Sequence, residues 1–190
     1  MIFLISLFII VILHELAHFA AAKLCGCGVE VVSVGFGKPF YSFEFKGTRY
    51  NFTPWLFGGY CKLKDELTNS NDPTAFTNLP YGKKVIIALA GITVNIIMGG
   101  ICLLIGMKTL NFTIWYFGYI SLALGITNLL PIPALDGSYP ILVWLEKLKG
   151  KEKGYALMNK ICRWGFIILM ALNIACLPYL FYLIKSGGIR

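Results

Sequence analysis

Four apolar runs, 1–24, 85–107, 112–130 and 161–184, limit what this chain can become. Each has the ~20 residues that cross about 30 Å of hydrocarbon. Inside lipid every backbone N–H and C=O must be paired within its own segment, so runs of this length are helices. Composition agrees: 57% of the 190 residues are hydrophobic and 14% are charged, where a soluble chain carries roughly a quarter charged. The first run lacks the basic flank of a secretory signal and is too long for one, so it reads as a retained span. The expected fold is an α-helical membrane protein of about four transmembrane helices, in one domain over 1–190 without internal repeats.

The net charge of +8 is unevenly spread. Eight Lys and Arg lie within 23–84 and six within 147–163, which puts 14 of the 17 on one side of a four-span chain. The positive-inside rule makes that side cytoplasmic and leaves both termini and 108–111 outside. The basic balance is thus accounted for by orientation in a lipid bilayer, and no nucleic-acid partner is expected. The six cysteines are scattered along the chain. Cys25 and Cys27 sit at the cytoplasmic end of the first run, where thiols stay reduced. With no second pair or nearby His to complete a metal site, they read as small apolar fillers.

Between the first two runs the pattern shortens. Residues 29–34, 40–46, 48–54 and 59–63 alternate or cluster apolar residues between Gly-rich turns, which predicts a small β-sheet over 29–64. Phe43 and Phe45 alternate with Ser42, Glu44 and Lys46, and Lys46–Arg49 reads as a hairpin turn. So small a sheet can bury its apolar face only against the membrane or the helices. The polar stretch 65–80 reads as a cytoplasmic loop, and 147–153 as another lying at the headgroups.

One span carries what lipid should exclude. His14, Glu15 and His18 fall within the first run, in "HELAH", and ionisable residues at membrane depth are costly enough to mark function. His14 and His18 are four apart, so on a helix they share one face and can bind one metal ion. Glu15, beside the first of them, is placed to act as general base on the attacking water. A zinc site of this kind needs a third protein ligand. Asp136, in "NLLPIPALDG" (128–137) just after the third run, is the candidate; Pro131 and Pro133 stop an ordinary helix there. On local sequence alone Asp136 reads equally as part of a helix-ending turn. Beside a two-histidine motif it becomes the third ligand, because broken backbone at membrane depth is tolerated where it lines a cavity. An Asn amide near such a site offers both a donor and an acceptor to an unwound substrate backbone, and an exposed strand edge can capture one by β-addition. Asn95, in the second run, reads as an interhelical hydrogen bond.

With HELAH and NLLPIPALDG together, the chain resembles the site-2 protease family, zinc metalloproteases that cut substrates within the membrane. "SVGFGKP" (33–39), "FGGYCKLKDE" (57–66) and "ALAGITVN" (88–95) extend the resemblance over nearly the whole length. It implies Zn2+ held by His14, His18 and Asp136, with Glu15 activating water. It also implies a role for Asn128 in holding the substrate backbone, and a membrane-reentrant β element beside which the unwound substrate pairs. Asn128 and Pro131, with Phe43 and Phe45 of the strand region, are the candidate substrate-binding residues. The implied protein is multi-pass in a bacterial cell membrane and acts on a transmembrane or signal-peptide-like substrate near its cytoplasmic side. Three positions depart from the family pattern. Ile92 replaces the Pro before Asn95, Ser138 replaces the second Gly after Leu-Asp-Gly, and 108–111 leave no room for the PDZ domain that many four-span members carry. The alternative reading is a small metal transporter or channel using the His/Asp site. It would be expected to show further polar residues at successive depths, and the second and fourth runs offer few.

Overall fold

The computed structural model describes residues 2–66, 70–132 and 135–150, together with 153, 156, 157, 160–165, 167, 168 and 171. Helix α1 (Ile2–Leu24) carries the first apolar run. It ends where Gly26 takes φ 79°. There the N–H of Gly26 donates to Lys23 O and that of Cys27 to Ala22 O, a left-handed cap that satisfies the last carbonyls. The chain leaves this cap directly into a four-stranded sheet of β1 (Val29–Phe36), β2 (Tyr41–Phe45), β3 (Thr48–Phe52) and β4 (Trp55–Leu63).

The strand order is β2-β3-β1-β4, with β1 parallel to β3 and antiparallel to β4. Strands β2 and β3 form the expected hairpin, Phe45 opposite Thr48. Its two-residue turn, Lys46 and Gly47, has φ 49° and 72°, the paired positive values that match the twist of the flanking strands. Every residue of β2 is exposed, although Tyr41, Phe43 and Phe45 are aromatic. The buried faces of β1 and β4 contribute Val29, Val32 and Leu63 to a core with Ala22, Cys25 and Cys27 from the end of α1. Cys25 and Cys27 are free thiols buried in that core, as fillers would be.

The polar stretch after β4 is tied down more firmly than its composition suggests. Phe76, in a 3₁₀ turn at Phe76–Asn78, is 1% exposed and belongs to the same core. Helix α2 (Tyr81–Thr109) then runs without interruption through Ile92, which is buried. Leu110, at φ 52°, reverses the chain, and Asn111 Oδ1 accepts the N–H of Ile114 at 3.2 Å to start α3 (Phe112–Leu129). Helices α2 and α3 pack closely at Gly99 and Gly118, where a Cβ would fall 2.7 Å or less from the facing backbone. Small residues at such crossings let membrane helices approach without a hydrophobic drive between them.

Three helices, Phe3–Leu24, Tyr81–Thr109 and Phe112–Leu129, are long and apolar enough to cross a membrane. The fourth expected span, 161–184, lies largely outside the described residues. One expectation is corrected. Residues 147–149, expected in a loop, form the last turn of α4 (Tyr139–Lys149), which Gly150 ends. Pro140 sits in its first turn, where a missing N–H costs nothing, and Leu142 and Val143 bury its inner face.

Candidate active site

Three chain segments meet on the inner face of α1. His14 and His18, one turn apart, direct their Nε2 atoms at the same point, 3.2 Å from each other. Asp136 arrives from the 3₁₀ turn Asp136–Ser138 that joins α3 to α4. Its Oδ2 lies 2.8 Å from His14 Nε2 and 3.2 Å from His18 Nε2. Among the described residues this is the one group of three or more His, Cys, Asp or Glu placed to hold a metal ion, with donor atoms within 4.8 Å of one another.

The surroundings orient the donors. His18 Nδ1–H donates to the Ile87 carbonyl at 2.7 Å, which leaves Nε2 bare for a metal. His14 Nδ1 is 3.1 Å from the Asn95 amide, so the expected interhelical bond of Asn95 runs to the first histidine. Between these two contacts lies Gly91. A Cβ there would stand 2.5 Å from His18 Nε2 and 2.6 Å from His14 Nε2. Ile87, Gly91 and Asn95 are spaced by four and share one face of α2. That face is a carbonyl, a hollow and an amide, matched to a pair of imidazoles with the same spacing. The hollow and the two-nitrogen, one-carboxylate donor set fit a metal that takes three protein ligands and keeps a position open.

Asp136 is held by its turn. Gly137 passes so close to the end of α3 that a Cβ would be 2.3 Å from Leu129 O. Ser138, the departure from the family pattern, is buried and donates from Oγ to Leu135 O at 2.7 Å, closing the turn in place of a glycine. Tyr139 donates its hydroxyl to Glu66 beyond the end of β4. Burial pushes the Glu66 carboxyl above its ordinary value, against the lowering effect of that hydrogen bond.

Glu15, beside His14 in sequence, lines a cavity of about 180 Å³ together with His18, Cys61, Ile87, Asp136 and Tyr139. The backbone of Cys61 faces the Glu15 side chain. Gly59 lets β4 come this near, since a Cβ there would be 3.2 Å from Glu15 Cγ and 2.7 Å from Ser33 O. Burial, with Glu15 and Glu66 nearby, pushes the Cys61 thiol up to about 12, so it lines the cavity as a neutral group.

Of the residues singled out from sequence, His14, Glu15, His18 and Asp136 come together, and Asn95 touches them through His14. Asn128 lies half-buried in the last turn of α3, and Pro131 is exposed just beyond it. Phe43 and Phe45 lie on β2, at the opposite end of the sheet from β4. Sequence reasoning missed the Ile87 carbonyl, the Gly91 hollow, and the Glu66–Tyr139 tie. Gly91 and Asn95 carried a signal in their spacing of four. A backbone carbonyl carries none.

Peptidase family M50 matches residues 2–111 and 106–172. A Neisseria meningitidis protein named as a candidate zinc metalloprotease is 37% identical over 98 residues, covering 50% of this chain and 22% of that protein. A Campylobacter jejuni protein of the same description is 40% identical over 94 residues, covering 47% and 26%. The matched segment is thus about a quarter of these relatives' length. The site-2 protease from Methanocaldococcus jannaschii superposes with a TM-score of 0.57 at 20% identity, over 97% of this chain and 73% of that one, a likeness of fold.

Proposed function

We propose a function from one premise: the chain belongs to peptidase family M50, the site-2 protease family. It is a zinc-dependent intramembrane endopeptidase that hydrolyses a peptide bond in or near the transmembrane segment of a membrane protein or signal-peptide-like substrate. The observation that carries this reading is the convergence of His14, His18 and Asp136, the outer pair 122 residues apart in sequence, beside a carboxylate in a membrane-spanning helix.

Zinc, when bound by these three residues, supplies Lewis acidity that polarises the scissile carbonyl and acidifies water. Glu15 takes a proton from the attacking water and returns it to the leaving amine. Before attack the substrate helix has to unwind, since its carbonyls are engaged in its own hydrogen bonds. Strand β4 ends the sheet beside Glu15 and offers main-chain groups to the unwound segment. Asn128 and Pro131 hold that segment from the α3 side. Phe43 and Phe45 meet the substrate farther out, along β2. The protein is multi-pass, with a fourth span over 161–184 and the active site toward the cytoplasm.

The test pairs chemistry with metal content. Membranes from cells carrying the wild type are compared by proteomics with membranes carrying Glu15→Gln, and zinc is measured in both purified proteins. Gln is nearly isosteric but cannot take the proton, so cleavage fragments should fall by ~10²–10⁴-fold while zinc stays at wild-type level. Fragments appearing at equal rates in both membranes would remove Glu15 as the base and this mechanism with it.

A further inference from the structure

Asn95 sits near the middle of α2 with 0% of its surface exposed. A buried amide in a membrane helix needs a reason, and its neighbour supplies one: the amide stands 3.1 Å from His14 Nδ1. We propose that Asn95 is the positioning residue for His14, its amide carbonyl accepting the Nδ1–H and so fixing the tautomer and ring plane that present Nε2 to zinc. The inference rests on the zinc reading above and adds a residue to it.

The argument starts from proton bookkeeping on the ring. A neutral imidazole carries one N–H, so a ring that binds metal through Nε2 must carry it on Nδ1. That N–H then needs an acceptor. His18 solves the problem with the Ile87 carbonyl at 2.7 Å. His14, one turn earlier on α1, faces α2 two turns later, where the corresponding group is the Asn95 side chain. As placed, it is the amide nitrogen that stands 3.1 Å from Nδ1, which would set two donors against each other and leaves Oδ1 buried without a partner. Half a rotation of the amide leaves the atom positions nearly unchanged. It gives the orphaned oxygen its bond and sets an acceptor opposite the Nδ1–H. The helix segment that carries the amide is itself anchored, because Ser121 Oγ on α3 donates to the backbone carbonyl of Asn95 at 2.9 Å.

Asn95 thus acts on His14 through its own side-chain amide. Such partners of metal-bound histidines are worth roughly 10–100-fold in metal affinity. A purely structural role would predict a different pattern, with stability lost and metal affinity kept in whatever protein remains folded.

The experiment uses the full chain in detergent and four proteins: wild type, Asn95→Leu, Asn95→Asp and Ser121→Ala. Zinc affinity is measured by competition with a chromophoric chelator, the donor field by the visible spectrum of the Co2+-substituted protein, and folding by melting of the zinc-stripped forms. Leu, which shares the Cγ-branched skeleton of Asn but carries no polar atom, should weaken zinc about 10–100-fold and alter the Co2+ spectrum while the stripped protein melts like wild type. Asp keeps the acceptor and should stay within a few-fold of wild type. Ser121→Ala loosens α3 without touching His14 and should bind zinc normally. Unchanged zinc affinity in Asn95→Leu overturns the inference alone, as does an equal loss in Ser121→Ala. A wild-type protein that holds no zinc overturns the site reading and this inference with it.

Discussion

One methyl group separates Gly91 from alanine, and in α2 that methyl would fall within 2.6 Å of both metal-facing nitrogens of His14 and His18. The far ends of flexible side chains can give way, but these rings are pinned at Nδ1 by Ile87 and Asn95. Overpacking of this kind costs about 1–3 kcal/mol. Gly91→Ala should therefore lower zinc affinity by ~10- to 100-fold with the helix intact, measured by metal content after dialysis against a weak chelator. Retention of zinc at wild-type stoichiometry would show that the hollow is not needed. At this scale the sequence was readable where spacing encodes geometry. His14 and His18 at i and i+4 pointed to side chains that meet at one place, with the acid between them alongside, and the structure brings them together. Asp136 was readable only in combination, since a carboxylate in a Pro-rich turn has several ordinary explanations. The Ile87 carbonyl was not readable at all, because every residue has one.

Among the elements, β4 does two jobs at once. Its middle runs against Glu15 through Gly59 and Cys61, and just past its end Glu66 accepts the Tyr139 hydroxyl three residues beyond Asp136. One strand thus braces both Glu15 and the turn that carries Asp136. Its anchor is sensitive to pH with a definite sign. Burial raises the Glu66 carboxyl above its unfolded value, so the folded state binds its proton more tightly than the unfolded state. The stability this confers is full below the unfolded value and is lost as pH rises through the folded one. Glu66→Gln keeps an acceptor for Tyr139 and removes the titration. The melting temperature of the variant should gain on wild type as pH is raised above the ordinary carboxylate range. A constant difference across that range would mean that Glu66 ionises in the fold as it does in the unfolded chain. Hydropathy marked α1, α2 and α3 to within a few residues, and alternation marked the four strands. Helix α4 escaped because its apolar run is short and passes into the basic stretch that begins at Lys147. Phe76 escaped because one aromatic residue in a polar stretch has no periodicity to betray it.

At the scale of the whole molecule, the charge pattern and the site agree. The sheet, the polar stretch 65–80 and α4 all emerge where the basic residues cluster. On the orientation proposed above, the positive-inside rule sets that end of the bundle in the cytoplasm. A reporter inserted at Asn71, an exposed position of the stretch between β4 and α2, should be active only as a cytoplasmic fusion. Activity as an exported fusion would invert the protein and move the cut site to the other leaflet.

The separation of the donors along the chain has a consequence of its own. From His18 to Asp136 is 118 residues, a contour that includes the sheet, α2 and α3. On the proposed zinc site, an ion gripped at both ends would be a clasp on that contour. It would close a very long loop, the circumstance in which a cross-link confines a chain most. The same atoms that would open a peptide bond in another protein would hold this one shut.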